Sequence, residues 1–486
     1  MTDVVDAVVV GAGPNGLVAA NRLADAGWSV LVLEQQDDVG GACRSDSEVH
    51  RHFVHDTFSA FYPLGVASPT ISSLGLDQHG LVWRHAPAVV GHPLPDGSWG
   101  MLHRRREDTA SELEAAACGD GEAWLDLCRS WEVVGPMLVR SLMSPFPPVR
   151  NGVGLLARLP RAGGLGFVRM LLEPVIHLAE SRFRSDAGRA LLMGNAGHAD
   201  IPLDAPGSGL MGVLLCMLGQ SVGYPVPEGG AGRLTQAMAE RLRSKGGQIR
   251  CGSAVAGVEV SGGRAVGVRL EDGSQVGVRR AVLADVGAPA LYERMLDPSA
   301  VPPGVQRGIR RFDWDPGTVK VDWALSGPVP WGQQPSAAPG TVHIAASAAG
   351  IQGALAQVAN GVLPADPFLL AGQMTTSDPT RSPAGTESMW AYTHIPQHVR
   401  SDAGDGSVRG IWDRDECERF ADRMQAQVQR HAPGFSSRIL ARRVLGPREL
   451  EERDANLVGG AVNGGTAQLH QQLVFRPTPG LGRAET

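Results

Sequence analysis

The segment Asp6–Gln35, DAVVVGAGPNGLVAANRLADAGWSVLVLEQ, constrains the fold of this chain more than any other feature. Val8, Val9 and Val10 form a short β-branched apolar run, the signature of a parallel strand buried on both faces. Gly11, Gly13 and Gly16 follow at G-x-G-x-x-G spacing. Gly11 permits a tight turn, Gly13 lets the backbone approach a pyrophosphate, and Gly16 allows close helix–strand packing. Leu17, Ala20, Leu23 and Ala24 recur at helical spacing until Gly27 ends the helix. Ser29–Leu33 reads as the second strand, with Glu34 at its C-terminal end. A carboxylate about 20 residues beyond the glycines accepts ribose hydroxyls and repels a 2′-phosphate, while the helix N-terminus offers N–H groups to the pyrophosphate. With 63 glycines in 486 residues, the bare glycine motif would arise by chance roughly once. Framed by two strands, a helix and a terminal acid, it specifies a dinucleotide-binding unit.

The next residues separate two dinucleotides. Glu34 is followed by QQDDVGGACRS, with Gly40-Gly41 ahead of Arg44-Ser45. A nicotinamide dehydrogenase has no need of a double glycine there, whereas many flavoproteins use one to pass the backbone close to FAD. No second strand–G-x-G-x-x-G–helix unit follows, so a dedicated NADPH domain is not expected.

A length of 486 residues suits two or three domains, or one large two-lobed enzyme. The net charge of −6 argues against a nucleic-acid partner, which needs a basic face. Asp3 and Asp6 stand where a positively charged leader would be, and no run of about 18 apolar residues occurs, so a cytoplasmic chain without a spanning helix is expected. Cys43, Cys118, Cys128, Cys216, Cys251 and Cys417 contain no C-x-x-C pair, which fits reduced thiols and supports neither a zinc site nor a redox dithiol.

Beyond these motifs the chain resembles the phytoene desaturase-like and carotenoid isomerase-like FAD oxidoreductases, in the branch called pyridine nucleotide-disulfide oxidoreductase domain-containing protein 2. The resemblance runs through Val8–Ala20, Val32–Cys43, His55–Pro63, Tyr224–Ile249, Met389–Gln397 and Asn456–Pro477. The disulfide in that name finds no dithiol here. The resemblance implies FAD as cofactor, with Gly11, Gly13, Pro14, Asn15 and Gly16 at the pyrophosphate. Glu34 and Gln35 would then hold the adenosine ribose, and Gly41 and Ala42 the ribityl-phosphate region. Val255 would lie on the strand touching adenine, or serve simply as core. Phe58 and Ser59 would flank the flavin ring. Such relatives continue past GLGR into a glycine-rich segment that closes over the flavin, so with the sequence ending at Ala484-Glu485-Thr486 that closing segment is expected to be missing.

The expected fold class is α/β: a glutathione-reductase-like, Rossmann-type FAD domain with a second substrate domain of mixed sheet and helices. The FAD domain would comprise residues 1–85 and 223–300 and be rejoined by 451–486; a largely helical 86–222 and a sheet in 301–450 would form the substrate domain. Ala86–Gly100 and Leu325–Gly340 read as loops, Thr318–Leu325 and Ser388–Pro396 as strands of the substrate sheet. Arg150–Val175 mixes apolar residues with Arg150, Arg158, Arg161 and Arg169, which reads as a helical lid or as peripheral contact with an anionic membrane. His394 is the candidate catalytic group, against the alternative of a structural histidine, and His198 follows it. Aromatic residues make up only 5% of the chain and offer no sign of an amine-oxidase-style aromatic cage. Three functions remain open: an FAD-dependent desaturase, dehydrogenase or isomerase of a hydrophobic, polyene- or isoprenoid-like small molecule; an amine oxidase-type enzyme; and a non-catalytic binding protein. The oligomeric state is not specified by any of these features.

Overall fold

The structure, a computed structural model, describes residues 3–144 and 148–481. Ala484–Thr486, where the expected closing segment would begin, lie outside the described residues, as does the side chain of Arg150.

Two sheets organise the chain. The first has six strands in the order Val255–Ser261, Arg264–Leu270, Gln275–Ala284, Asp3–Val10, Val30–Leu33, Gln248–Arg250. Asp3–Val10 lies at its centre and pairs in parallel with both neighbours. Its apolar run is buried on both faces: Val8 and Val9 are fully enclosed, as a central parallel strand requires. The helix Pro14–Asp25 covers one face beside the helix Gly232–Ser244. The first helix ends before Gly27, whose φ of +79° supplies the left-handed stop. The second lies between the strands Val226–Pro227 and Gln248–Arg250.

The second sheet has seven strands in the order Ile439–Leu445, Gly317–Leu325, Glu387–Ile395, Leu369–Gln373, Pro339–Ile344, Ala88–Pro93, Trp99–Leu102. One face packs its Val319, Val321, Trp323, Met389 and Ala391 against the helix Arg414–His431. The helices between Arg106 and Ser221 pack on the other side and share a core with Val90, Leu102 and Leu370.

The expectation that Ala86–Gly100 is a loop is overturned: its ends form the hairpin Ala88–Pro93/Trp99–Leu102. Asp96 Oδ1 accepts from the N–H and hydroxyl of Ser98, and Gly97 sits at φ +87°. Pro and Gly cluster here because the turn and the close packing both need them. A Cβ on Gly91 would lie 2.8 Å from Pro339 and 2.9 Å from Trp99, so tertiary contact outweighs the local reading.

Candidate active site

The C-terminal ends of the parallel strands open into a cleft of about 600 Å³ lined by Gly11, Gly13, Pro14, Asn15, Glu34, Gln35, Gly41, Ala42 and Val255. The three glycines of the loop do different work. Gly11 has φ +98°, and a Cβ on Gly16 would sit 2.2 Å from Gly11 O, so only glycine lets the helix close on the strand. Gly13 has an ordinary φ of −69° and forms the floor of the cleft. Gly41 (φ +51°) brings the second glycine pair against it, within 2.9 Å of Gly13 Cα measured from an added Cβ.

Glu34 is buried, and its carboxylate accepts from Ala12 N at 2.7 Å and Gln36 N at 2.9 Å. Two hydrogen bonds leave lone pairs for ribose hydroxyls, since a carboxylate has about four acceptor sites. Asp285 follows the strand Gln275–Ala284 and accepts from Gly16 N at 2.7 Å. Burial raises its carboxyl above the usual range, with Asp454 and Glu34 adding like charge; burial also raises Asp454. Arg294 and Arg453 stand at the same cleft. The glycine cradle, helix N-terminus and ribose-facing acid fit FAD, and these chain positions would hold its pyrophosphate and adenosine ends.

A second cavity of about 260 Å³ adjoins the first and shares Ala42, Leu457 and Val462 with it. Phe58 and Ser59 line it. Its wall is aromatic: Phe61 meets Trp390 at 5.9 Å, and Trp390 stacks on Tyr392 at 6.0 Å. The low aromatic content is therefore a poor guide, because alternate residues of the strand Glu387–Ile395 and the turn at Phe61 gather the few aromatics in one place. Among the expected catalytic groups, His198 lines this cavity. His394 does not; it is buried and lines an adjoining pocket of about 350 Å³ with Asp200.

Lys320 escaped the sequence reading, although a lone lysine in the apolar alternation of TVKVDWAL was the available signal. It lines the aromatic cavity, is 3% exposed, donates to Asp56 O at 2.9 Å and ion-pairs with Asp322. Burial lowers its pKa, while Asp322 works to keep it charged. Behind it runs a wholly buried ion cluster. Arg381 bonds Asp56 and Asp378, each at 3.0 Å. Those carboxylates also accept from Ala231 N and Gly229 N, both at 2.7 Å. The cluster thus ties the strand His55–Asp56 and the segment Gly229–Ala231 to the connection between the sheet strands Leu369–Gln373 and Glu387–Ile395.

Glu387 begins the strand Glu387–Ile395, third of the seven in that sheet, and accepts from Thr375 N at 2.6 Å and the Thr376 hydroxyl at 2.6 Å. Burial pushes its carboxyl up to about 7, against those hydrogen bonds. An acid whose folded pKa lies above its unfolded value of roughly 4.3 binds more protons when folded, so its contribution is present below that lower value and is lost as pH rises towards 7. Thermal or urea unfolding should therefore show a stability decline on the order of 3 kcal/mol from this group between pH 4 and 8. Glu387→Gln should flatten that part of the profile; an unchanged slope would assign the decline elsewhere.

All six cysteines are unpaired. No helix of the described residues is long and apolar enough to cross a membrane, and among them no group of three or more His, Cys, Asp or Glu is placed to hold a metal.

A cleft and fold of this kind define an FAD-dependent oxidoreductase. Residues 9–72 match the NAD(P)-binding Rossmann-like domain, and residues 153–348 match the flavin containing amine oxidoreductase family. The mouse pyridine nucleotide-disulfide oxidoreductase domain-containing protein 2 is 28% identical over 98% of this chain and 86% of its own length. The hydroxyneurosporene desaturase of Cereibacter sphaeroides is 29% identical over 53% of this chain and 51% of its own. An oxidoreductase structure from Methanosarcina mazei superposes with a TM-score of 0.59 at 14% identity, covering 90% of this chain and 87% of that one. The chain is thus similar to the flavin containing amine oxidoreductases over residues 153–348, and to relatives that include a carotenoid desaturase.

Proposed function

We propose that the protein dehydrogenates, desaturates or isomerises a largely apolar small molecule held in the aromatic cavity. The observation that carries this is the junction at Ala42, Leu457 and Val462, where that cavity meets the dinucleotide cleft. Bound there, FAD supplies the hydride acceptor. Gly11, Gly13, Asn15 and Glu34 bind and orient the nucleotide. Phe61, Trp390 and Tyr392 exclude water and hold an apolar substrate by contact area. Lys320 lies 5.8 Å from the Trp390 ring centroid, placing a cation against the face that a protonated amine would seek. That contact favours a neutral substrate over an amine.

Anaerobic titration of the FAD-loaded protein with neutral terpenoids and with primary amines tests the choice. Bleaching of the flavin bands by a terpenoid, without bleaching by amines, is the expected result; bleaching by amines alone, with peroxide formed in air, would establish the oxidase instead. No bleaching by either class, together with no isomerised terpenoid on extraction, would leave the binding-protein reading.

An apolar substrate also needs a source. Between Ser144 and Leu172 the sequence holds arginines and no acid, in a chain of net charge −6. Val153, Leu156, Leu165 and Leu172 are 62%, 66%, 86% and 53% exposed, with Arg158, Arg161 and Arg169 exposed among them. We propose that this surface docks on an anionic bilayer. In flotation assays the protein should rise with phosphatidylglycerol vesicles, rise less in high salt, and fail to rise as Leu156→Asp/Leu165→Asp. Equal flotation of the variant, or none of the native protein, would refute the docking, and concentration-dependent dimers lost in the variant would assign the face to a second copy.

A further inference from the structure

His198 Nε2 lies 2.8 Å from His343 Nε2 at the edge of the aromatic cavity. Burial takes His198 down to about 3 and His343 well below its usual value, so both rings are neutral, one donating and one accepting. The bond uses one nitrogen of each ring. His343 Nδ1 has no partner among the described residues and packs on Gly194, where an added Cβ would be 2.4 Å away. That contact holds the His343 ring in its slot behind His198. Tyr224 packs edge-on against His198 at 6.4 Å, its own hydroxyl committed to Asn195. His198 itself lines the cavity, with its Nδ1 outside the histidine pair.

Thr341 stands two residues before His343 on the same face of the strand Pro339–Ile344 and lines the same cavity. It is 2% exposed, and its hydroxyl has no partner among the described residues. Leaving such a hydroxyl unpaired costs about 1–3 kcal/mol, which a ligand oxygen would relieve. The rest of the wall, Phe61, Leu215, Trp390 and the ring of Tyr392, offers apolar surface. The histidine pair supplies no countercharge, and Lys320 disfavours a cation.

We infer that His198, backed by His343 and flanked by Thr341, receives a single uncharged hydrogen-bonding group, a hydroxyl or carbonyl, on an otherwise apolar substrate. The inference rests on the apolar-substrate reading of the cavity and narrows its substrate class to apolar alcohols and their carbonyl counterparts. His198 is the contact residue, and His343 positions it.

Geraniol and myrcene, an alcohol and a hydrocarbon of one terpene class, are the probes. Each is titrated into the FAD-loaded protein, with the shift of the flavin bands and quenching of tryptophan fluorescence as readouts. Geraniol should bind about tenfold more tightly, the scale of one net hydrogen bond. His198→Phe should erase that preference by weakening geraniol relative to myrcene, a selective loss that a merely structural role would not produce. Thr341→Val, nearly isosteric, should reduce the preference several-fold and serves where His198→Phe does not fold. Equal binding of both probes to the native protein, or a preference that survives both substitutions, overturns the polar corner alone. Absence of saturable binding by either probe to flavin-loaded protein overturns the apolar-substrate reading and the corner with it.

Discussion

Gly13→Val should abolish FAD retention while leaving the apoprotein folded. The residue has φ −69°, which valine adopts freely, and its Cβ would meet Asp285 Oδ2 at 3.3 Å and Gly41 Cα at 3.8 Å, ordinary or slightly tight contacts. What the new side chain fills is the floor of the cleft, where a pyrophosphate would approach the helix N-terminus. Losing one or two charge-assisted hydrogen bonds, each worth about 1.5–3 kcal/mol, lowers affinity on the order of 100-fold or more. Gly11 would be a poorer site for this experiment. Its φ of +98° and a Cβ only 3.0 Å from Asp285 O would strain the fold itself. Equilibrium dialysis with FAD, beside circular-dichroism melting of the apoprotein, reads the two quantities separately. Near-native FAD affinity in a folded Gly13→Val protein would mean that the cofactor phosphates lie elsewhere.

Arg381→Met should destabilise the protein by about 3–5 kcal/mol, the range for removing one partner of a buried ion pair. Arg381, Asp56 and Asp378 are all fully buried. Without the guanidinium, two carboxylates face one another in the interior, compensated by the backbone donors of Ala231, Gly229 and Thr380 and the hydroxyls of Ser45 and Thr380. Arg381→Lys should recover part of the loss, because one ammonium cannot reproduce a planar fork that serves two acids. Urea unfolding monitored by tryptophan fluorescence measures both. A loss below about 1 kcal/mol for Arg381→Met would show that the carboxylates take up protons or water at little cost. Because the cluster joins the segments Ser45–Asp56 and Gly229–Ala231 to the seven-stranded sheet, Arg381→Met should also weaken FAD retention. Lys320 sits in the adjoining pair with Asp322 and Arg443, so the same variant should alter the flavin spectrum where the cofactor binds.

The dinucleotide unit was legible in the sequence because its constraints are local. A strand, a turn, a helix and a terminal acid lie within Asp6–Gln35, and each glycine's role depends on neighbours a few residues away. Gly11, Gly13, Glu34 and Gly41 therefore fall together at one cleft. The long strands Gly317–Leu325 and Glu387–Ile395 were readable for the same reason, since alternation marks a sheet face without naming its partner. The hairpin at Ala88–Leu102 was hidden because Gly91 answers to Pro339, a residue far away in sequence, as well as to Trp99 on the facing strand.

The aromatic cavity could not be read in this way. His198 meets His343 across 145 residues, and Asp56 meets Arg381 across 325. Phe61, Trp390 and Tyr392 form one wall although aromatics are scarce along the chain. Even the displacement of His394 into the neighbouring pocket depends on how the sheet packs on the helices beside Ala199 and Asp200. By itself, the sequence determined that this chain folds a dinucleotide-binding unit at Asp6–Gln35, because turn geometry and strand burial are short-range properties of the backbone. Tertiary structure alone decided what lies beside the cofactor, since a cavity is made by side chains whose spacing in space bears no fixed relation to their spacing along the chain.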